Sequence, residues 1–138
     1  MPYWLFKSEP DAYSWDRLVA DGRTDWSGVR NHQANNNMKA MRVGDRGFFY
    51  HSNTGLEIVG VVEVAAEHHP DPTDQSGRFG MVTVTPVTAL KNPVGLKQMK
   101  TDPVLAGMAL LRQSRLSVSP VTDAQWRQIC ALGGIEAS

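Results

Sequence analysis

Two runs of β-branched residues constrain this chain more than anything else in it. Residues 56–66 include Ile58, Val59, Val61, Val62 and Val64, and residues 81–87 alternate Val82, Val84 and Pro86 against Met81, Thr83 and Thr85. Side chains branched at Cβ are stiff in a helix and pack well on a pleated surface, so both runs predict strands. The link at 68–80 is rich in Pro, Asp, Ser and Gly and predicts an exposed loop.

The remaining elements are shorter. Tyr3-Trp4-Leu5-Phe6 predicts a buried opening strand, stopped by a turn at Pro10. Ser14 can cap a helix of about two turns containing Trp15, Leu18 and Val19, with Gly22 after its end. Residues 26–37 predict a polar loop leading into a helix whose Met38 and Met41 face the core, and Gly44-Asp45 turns the chain into a strand at 47–51. Apolar residues at helical spacing (Leu96, Met99, Leu105, Met108, Leu111) predict helix over 96–111, with Pro103 restarting it at a first turn. Residues 116–119 alternate as a strand. Thr122 with Gln125 makes a capping-box signature for a last helix through Leu132, ended by Gly133-Gly134. Short helices set between strands, without regular βαβ alternation, predict a mixed α/β (α+β) fold: a strongly curved, barrel-like mixed sheet with helices at its mouth, not a doubly wound parallel sheet.

At 138 residues the chain predicts one domain over 1–138, long enough to bury a core without staples. Fourteen basic and fourteen acidic residues cancel, which excludes adhesion to nucleic acid by bulk charge. Their distribution is uneven: residues 1–46 hold seven Lys/Arg against six Asp/Glu, 47–90 one against five, and 91–138 six against three. A local basic surface is therefore expected where the two ends of the chain meet. The single cysteine, Cys130, excludes an intramolecular disulfide and a clustered-thiolate metal site, and fits a reducing cytosolic or nuclear setting. There is no apolar run near the ~20 residues of a membrane span. Nor does the start of the chain have a basic segment followed by an apolar one, so a soluble, non-exported protein is expected.

Glycine-rich phosphate loops, paired metal-site cysteines and a Ser-nucleophile elbow are all missing from the sequence. His68-His69 would point to opposite sides of an extended chain and has no further ligands at sensible spacing, so no metal site is expected. Cys130 reads as an inert core thiol. Two segments hold more chemistry. In the stretch from Trp26 to Asn37 an aromatic (Trp26), a hydroxyl (Ser27), a guanidinium (Arg30) and several amides (Asn31 among them) stand close together. Amides and hydroxyls read base edges, an aromatic stacks on a base face, and Arg anchors phosphate; a polar turn with a core Trp and a capping Asn accounts for the same residues equally well. Arg112, Ser114 and Arg115 have the composition of a backbone clamp, with ion pairing to the acidic middle of the chain as the alternative. Lys7-Ser8-Glu9 and Phe49-Tyr50-His51-Ser52 turn abruptly from apolar to polar, as at a pocket mouth; Tyr50 and His51 fit the core edge as well.

These segments together resemble the EVE domain, of the PUA-like superfamily. The resemblance runs in order through Trp4-Leu5-Phe6-Lys7-Ser8-Glu9-Pro10, Tyr13-Ser14-Trp15 and Trp26-Ser27-Gly28-Val29-Arg30-Asn31. It continues through Val43-Gly44-Asp45, Phe49-Tyr50-His51-Ser52, Ile58-Val59-Gly60, Pro70-Asp71-Pro72-Thr73 and Arg112-Gln113-Ser114-Arg115-Leu116-Ser117-Val118. It implies a PUA-like pseudobarrel whose pocket takes a flipped, modified base, with modified cytosine in DNA ahead of RNA ligands. The related YTH domains, which bind methylated adenine in RNA, have a similar Lys-Ser and Trp-Ser. The implied roles are Trp26 as a cage wall, Ser8, Ser27, Asn31 and His51 as edge readers, and Tyr13 and Tyr50 as pocket lining. Lys7, Arg30, Arg112, Ser114 and Arg115 would hold phosphates. At His32, Asn35 and Phe79 the sequence departs from the family's usual tyrosine, arginine and tryptophan.

The resulting expectation is a monomeric, non-catalytic nucleic-acid reader without cofactor, metal or membrane partner. Two others stand beside it: a small hydrolase of the related ASCH type using Lys7, Glu9 and Ser8, and a nucleotide binder using the same pocket. Strand alternation puts Lys7 and Glu9 on one face and turns Ser8 away, which weighs against the hydrolase.

Overall fold

In the computed structural model, which describes residues 2–137, the opening aromatic run forms strand β1 (Tyr3–Ser8). Its alternate side chains enter two different cores: Trp4 and Phe6 pack into one, Leu5 into the other. The expected domain, 1–138, reaches one residue past the described chain at each end. The chain continues as α1 (Trp15–Asp21), β2 (Thr24–Asp25), α2 (His32–Ala40), β3 (Arg46–His51), β4 (Glu57–Pro70) and β5 (Gly80–Gly95). It closes with α3 (Leu96–Thr101), α4 (Ala109–Arg112), β6 (Val118–Val121) and α5 (Asp123–Gly133).

The six strands make one mixed sheet in the order β2-β5-β4-β3-β1-β6. Among the described residues, β1 and β3 are the parallel pair, with Lys7 opposite Tyr50 and Ser8 opposite His51. β6 pairs antiparallel with β1, Tyr3 opposite Val121, so the two ends of the chain do meet. The α/β class and mixed sheet agree with the pattern of elements in the sequence. One core gathers Phe49, Val62, Val64, Val82 and Val84 under Trp15, Leu18, Ala34 and Met38 of α1 and α2. The other gathers Phe48, Ile58, Val61 and Val94 under Met99, Leu105, Trp126 and Ile129. Period-two alternation in the strands feeds both, and the register shifts along β4 and β5 let these long strands pass from one core to the other. Trp126 stacks between Tyr3 and Phe48, with ring centroids 4.2 and 4.1 Å away.

Caps follow the sequence closely. Ser14 accepts from the Arg17 N–H, Gly22 ends α1 in the left-handed conformation, and the Thr122/Gln125 capping box is formed in both directions. Gly60 is demanded by packing, because a Cβ there would lie 2.4 Å from the Trp15 ring.

Four expectations need correction. First, α2 starts at His32, inside the predicted loop: Asn31 accepts from the Ala34 N–H, and the polar residues hid a helix whose Ala34, Asn35 and Met38 turn inward. Second, β4 runs on to Pro70 and β5 begins at Gly80, with His69 opposite Met81, so only 71–79 is loop. Third, Pro103 does not restart a helix. Asp102 ends α3, accepts from the Val104 N–H, and takes a 2.7 Å hydrogen bond from Gln128 of α5; this local side-chain bonding draws 102–108 into turns, although Leu105 and Met108 stay buried. Fourth, the last strand is shifted, starting at Val118 and not at Leu116, and β2 was not foreseen at all.

Candidate functional site

A series of three adjoining depressions starts at the C-terminal end of β1. The first, about 520 Å³, is lined by Lys7, Ser8, Glu9, Ala12, Tyr13, Thr24, Asp25, Trp26, Ser27 and Gly28. The second, about 440 Å³, shares Lys7 and Glu9 with it and adds Tyr50, Ser52, Asn53, Leu56, Leu96, Leu110, Ser114, Arg115 and Ser117. The third, about 310 Å³, shares Ser114 and Arg115 with the second and adds Asn31, Gln33, Arg112, Gln113 and Leu116. Lys7 from the first third of the chain and Arg112 and Arg115 from the last thus come to one surface, as the charge distribution allowed.

Trp26 is half-buried. Its ring makes T-shaped contacts with the fully buried Phe6 and Phe49, at centroid distances of 5.1 and 5.8 Å, while it also lines the first cavity. The backbone beside it is held from both sides. Its N–H donates to the Val82 carbonyl at 2.8 Å, continuing the β2–β5 pairing, and Gly28, at φ 82, donates to Asp71 Oδ2 at 2.8 Å. Asp71 also accepts from the Thr73 N–H and hydroxyl and from Arg30, with its side chain fully buried. Burial alone would raise this carboxyl, but the hydrogen bonds from Thr73, Gly28 and Arg30 outweigh it and bring the pKa down to about 2.

Lys7 bridges the first two depressions. Its Nζ donates to the Ser114 carbonyl at 2.7 Å, and its backbone N–H donates to the Ser117 carbonyl, so β1 and the 112–117 segment are tied together. Partial burial lowers the Lys7 pKa. The Ser8 hydroxyl donates to the Tyr13 carbonyl at 2.5 Å, and the Tyr13 hydroxyl to Asp21 at 2.9 Å; burial raises the Tyr13 pKa.

Of the sequence-derived pocket residues, Ser8, Tyr13, Trp26 and Ser27 come together in the first cavity. Asn31 lies in the third depression with its Oδ1 capping α2, and Tyr50 lies in the second, itself 3% exposed. His51 has a task in the fold: its Nε2 accepts the free N–H of Trp15 at the start of α1, which leaves the ring proton on Nδ1. Burial lowers its pKa against smaller opposing effects of Glu57 and Asp16. Arg30 is joined to Asp71 and Thr73, whereas Arg112, Ser114 and Arg115 are exposed on the shared rim. Ser8 lines the same cavity as Lys7 and Glu9, contrary to the alternation argument, because β1 ends at Ser8 and Glu9 already belongs to the turn that follows.

Asp71 stands in the Pro70-Asp71-Pro72-Thr73 stretch of the resemblance but had no role assigned to it there; the structure makes it the acceptor that holds Gly28 and Arg30. Its signal was an Asp followed two positions later by a hydroxyl residue, the pattern of a self-bonded Asx turn. Thr24 and Asp25 were missed because a two-residue strand has no periodicity to detect. Elsewhere, His68 Nε2 donates to Asn35 Oδ1 at 2.8 Å, that oxygen being already the acceptor of the Gly80 N–H, and burial pushes the Cys130 thiol up to about 11. Among the described residues no group of three or more His, Cys, Asp or Glu is placed to hold a metal ion, and no helix is long and apolar enough to cross a membrane.

Comparison with known proteins adds family relationships to this geometry. The family model for the EVE domain matches residues 2–132. Thymocyte nuclear protein 1 of Rattus norvegicus is 33% identical, over 99% of this chain and 75% of that protein. The crystal structure of Atu2648 from Agrobacterium tumefaciens superposes with a TM-score of 0.95 at 47% identity, covering 98% of this chain and 94% of that one. The crystal structure of human THYN1 in complex with 5-methylcytosine containing DNA gives a TM-score of 0.91 at 30% identity, covering 99% of both chains.

Proposed function

Because the chain belongs to the EVE domain family and has its PUA-like fold, we propose that it is a non-catalytic nucleic-acid reader that takes a flipped, modified base into the first cavity. Modified cytosine in DNA is the ligand class this reading favours. The observation that carries it is the pairing of Trp26 with Ser8, Ser27 and Lys7 around one cavity of about 520 Å³, in a chain similar over its length to a protein seen with 5-methylcytosine DNA.

The chemistry is coherent. Taking a base out of its stack costs a few kcal/mol, which an aromatic wall and edge hydrogen bonds recover. Trp26, fixed edge to face against Phe6 and Phe49, supplies a wall whose ordering cost is already met in folding. Ser27 and Tyr13 supply polar groups at the lining, and Lys7 with the exposed Arg112, Ser114 and Arg115 supplies positive charge and donors for the backbone on either side. The extra methyl adds about 1–3 kcal/mol, so discrimination of roughly tenfold or more is expected.

Lys7, Ser8 and Glu9 around one cavity are the composition a hydrolase would need, but the hydrogen bonds do not follow. A serine nucleophile gives its proton to a base, whereas the Ser8 proton is directed to the Tyr13 carbonyl and Lys7 to the Ser114 carbonyl. The non-catalytic reading is therefore preferred, with the protein acting as a monomer in the cytosol, or in the nucleus of a eukaryote.

The test is a fluorescence titration with short DNA and RNA strands carrying cytosine, 5-methylcytosine or N6-methyladenine, run alongside Trp26→Ala. The expected result is tightest binding to the 5-methylcytosine DNA strand and a loss of about tenfold or more in the variant. Absence of binding to every strand at low salt overturns the reading.

A further inference from the structure

We propose that the second depression is a binding subsite for the nucleotide adjoining the one whose base occupies the first cavity, and that Leu56 is the surface its base packs on. This rests on the reader function above. It assigns that function a footprint of two unstacked nucleotides instead of one.

Three observations carry the proposal. The depression adjoins the first cavity, since Lys7 and Glu9 line both, and at about 440 Å³ it lies in the range of roughly 300–1,000 Å³ typical of ligand sites. Its lining is apolar where a base face would lie, with Tyr50, Leu96 and Leu110, and is positive at the margin, where Arg115 and Lys7 stand to take the intervening phosphate. Glu9, beside Lys7 on the shared wall, repels phosphate and accepts from an exocyclic amine, so its side of that wall suits a base edge.

The third observation is the backbone of its rim. Among the described residues, the non-glycine positions with positive φ are Asn53 at 66° and Leu56 at 51°, and both line this depression. Left-handed backbone is unusual for a bulky residue and persists only where the surroundings hold it. The Leu56 carbonyl is held by the Leu96 N–H at 2.9 Å. The result is a leucine left 40% exposed at the mouth of a cavity, where it contributes little to either core. A base laid against it would bury that apolar surface.

The experiment measures affinity for single strands with one 5-methylcytosine, in which the 5′ or the 3′ neighbour is replaced by an abasic site. The proteins are wild type, Leu56→Gly and Trp26→Ala. Glycine suits the left-handed backbone, so Leu56→Gly keeps the fold, which its melting temperature verifies. One of the two abasic strands is expected to bind wild type about tenfold more weakly than the intact strand. Leu56→Gly is expected to bind the intact strand about tenfold more weakly too, and to make no distinction between it and that abasic strand. If wild type binds all three strands alike, or if Leu56→Gly retains the full abasic penalty, the subsite is refuted while the reader stands. If no strand binds, or Trp26→Ala binds as wild type does, the reader function falls and the subsite falls with it.

Discussion

Asp71 accepts the backbone N–H of Gly28 at 2.8 Å, so the loop that carries Trp26 and Ser27 is held by a carboxylate 43 positions further along the chain. The depressed pKa of Asp71, about 2 against 3.8, means that its ionised form is the one the fold favours. Its contribution is complete above pH 3.8 and is lost as the pH falls through about 2. Asp71→Asn places an amide among the donors that now converge on a carboxylate. It is expected to cost about 2 kcal/mol in urea denaturation and to flatten this acid limb of the stability profile. An unchanged profile would show that the loop is held by other contacts.

His51 leads to a pH dependence in a different range. Its Nε2 can accept the Trp15 N–H only while unprotonated, and burial lowers its pKa below 6.5. The neutral ring is therefore favoured in the folded state; its contribution is complete above pH 6.5 and declines as the pH falls below that value. His68 is shifted the same way by burial, with Lys39 and His69 adding to it, so both histidines act together. His51→Gln retains an acceptor but does not titrate, and should remove part of the decline seen by thermal melting between pH 7 and 5. His51→Ala loses the acceptor and should cost about 1 kcal/mol even at neutral pH.

Arg115 is exposed and has no hydrogen bond or ion pair among the described residues, which sets it apart from Arg30 on Asp71. Arg115→Ala should leave the melting temperature unchanged. If Arg115 holds a phosphate, the slope of log affinity against log salt should fall by about 0.7 for a single strand. Lys7→Met should reduce the slope similarly and also destabilise the protein, because the bond to the Ser114 carbonyl goes with it.

Gly60→Ala tests the packing under the site. The added Cβ would lie 2.4 Å from the Trp15 ring, which is buried against Phe49 at a centroid distance of 5.6 Å and has little room to retreat. A loss of about 2–3 kcal/mol is expected in chemical denaturation. A loss under about 0.5 kcal/mol would show that Trp15 can move without disturbing the core.

Local chemistry was legible wherever one element is decided by its own residues. The Ser14 and Thr122 caps, the β-branched runs and the stop at Gly22 could be read because a cap, a pleat or a left-handed residue is a property of a few neighbouring side chains. The segment from Trp26 to Asn37 could be marked as chemically rich, but not divided between site and scaffold. Trp26 and Ser27 line the first cavity, while Asn31 caps α2, and Asn35 is buried between Gly80 and His68. An amide is equally able to serve a base edge or a helix end, and only the partner's position separates the two.

By itself the sequence determined the alternation that fills two cores, the caps, the mixed class of fold and the residue types available for binding. Tertiary structure alone decided which of them share a cavity. Lys7 meets Ser114 only because β1 lies between β3 and β6, and Gly28 meets Asp71 only because the 71–79 loop returns over the start of α2. Those contacts span 107 and 43 residues. Bonds of that reach follow from strand order and register, which are settled by how the whole apolar surface is buried and are not encoded in any one local pattern.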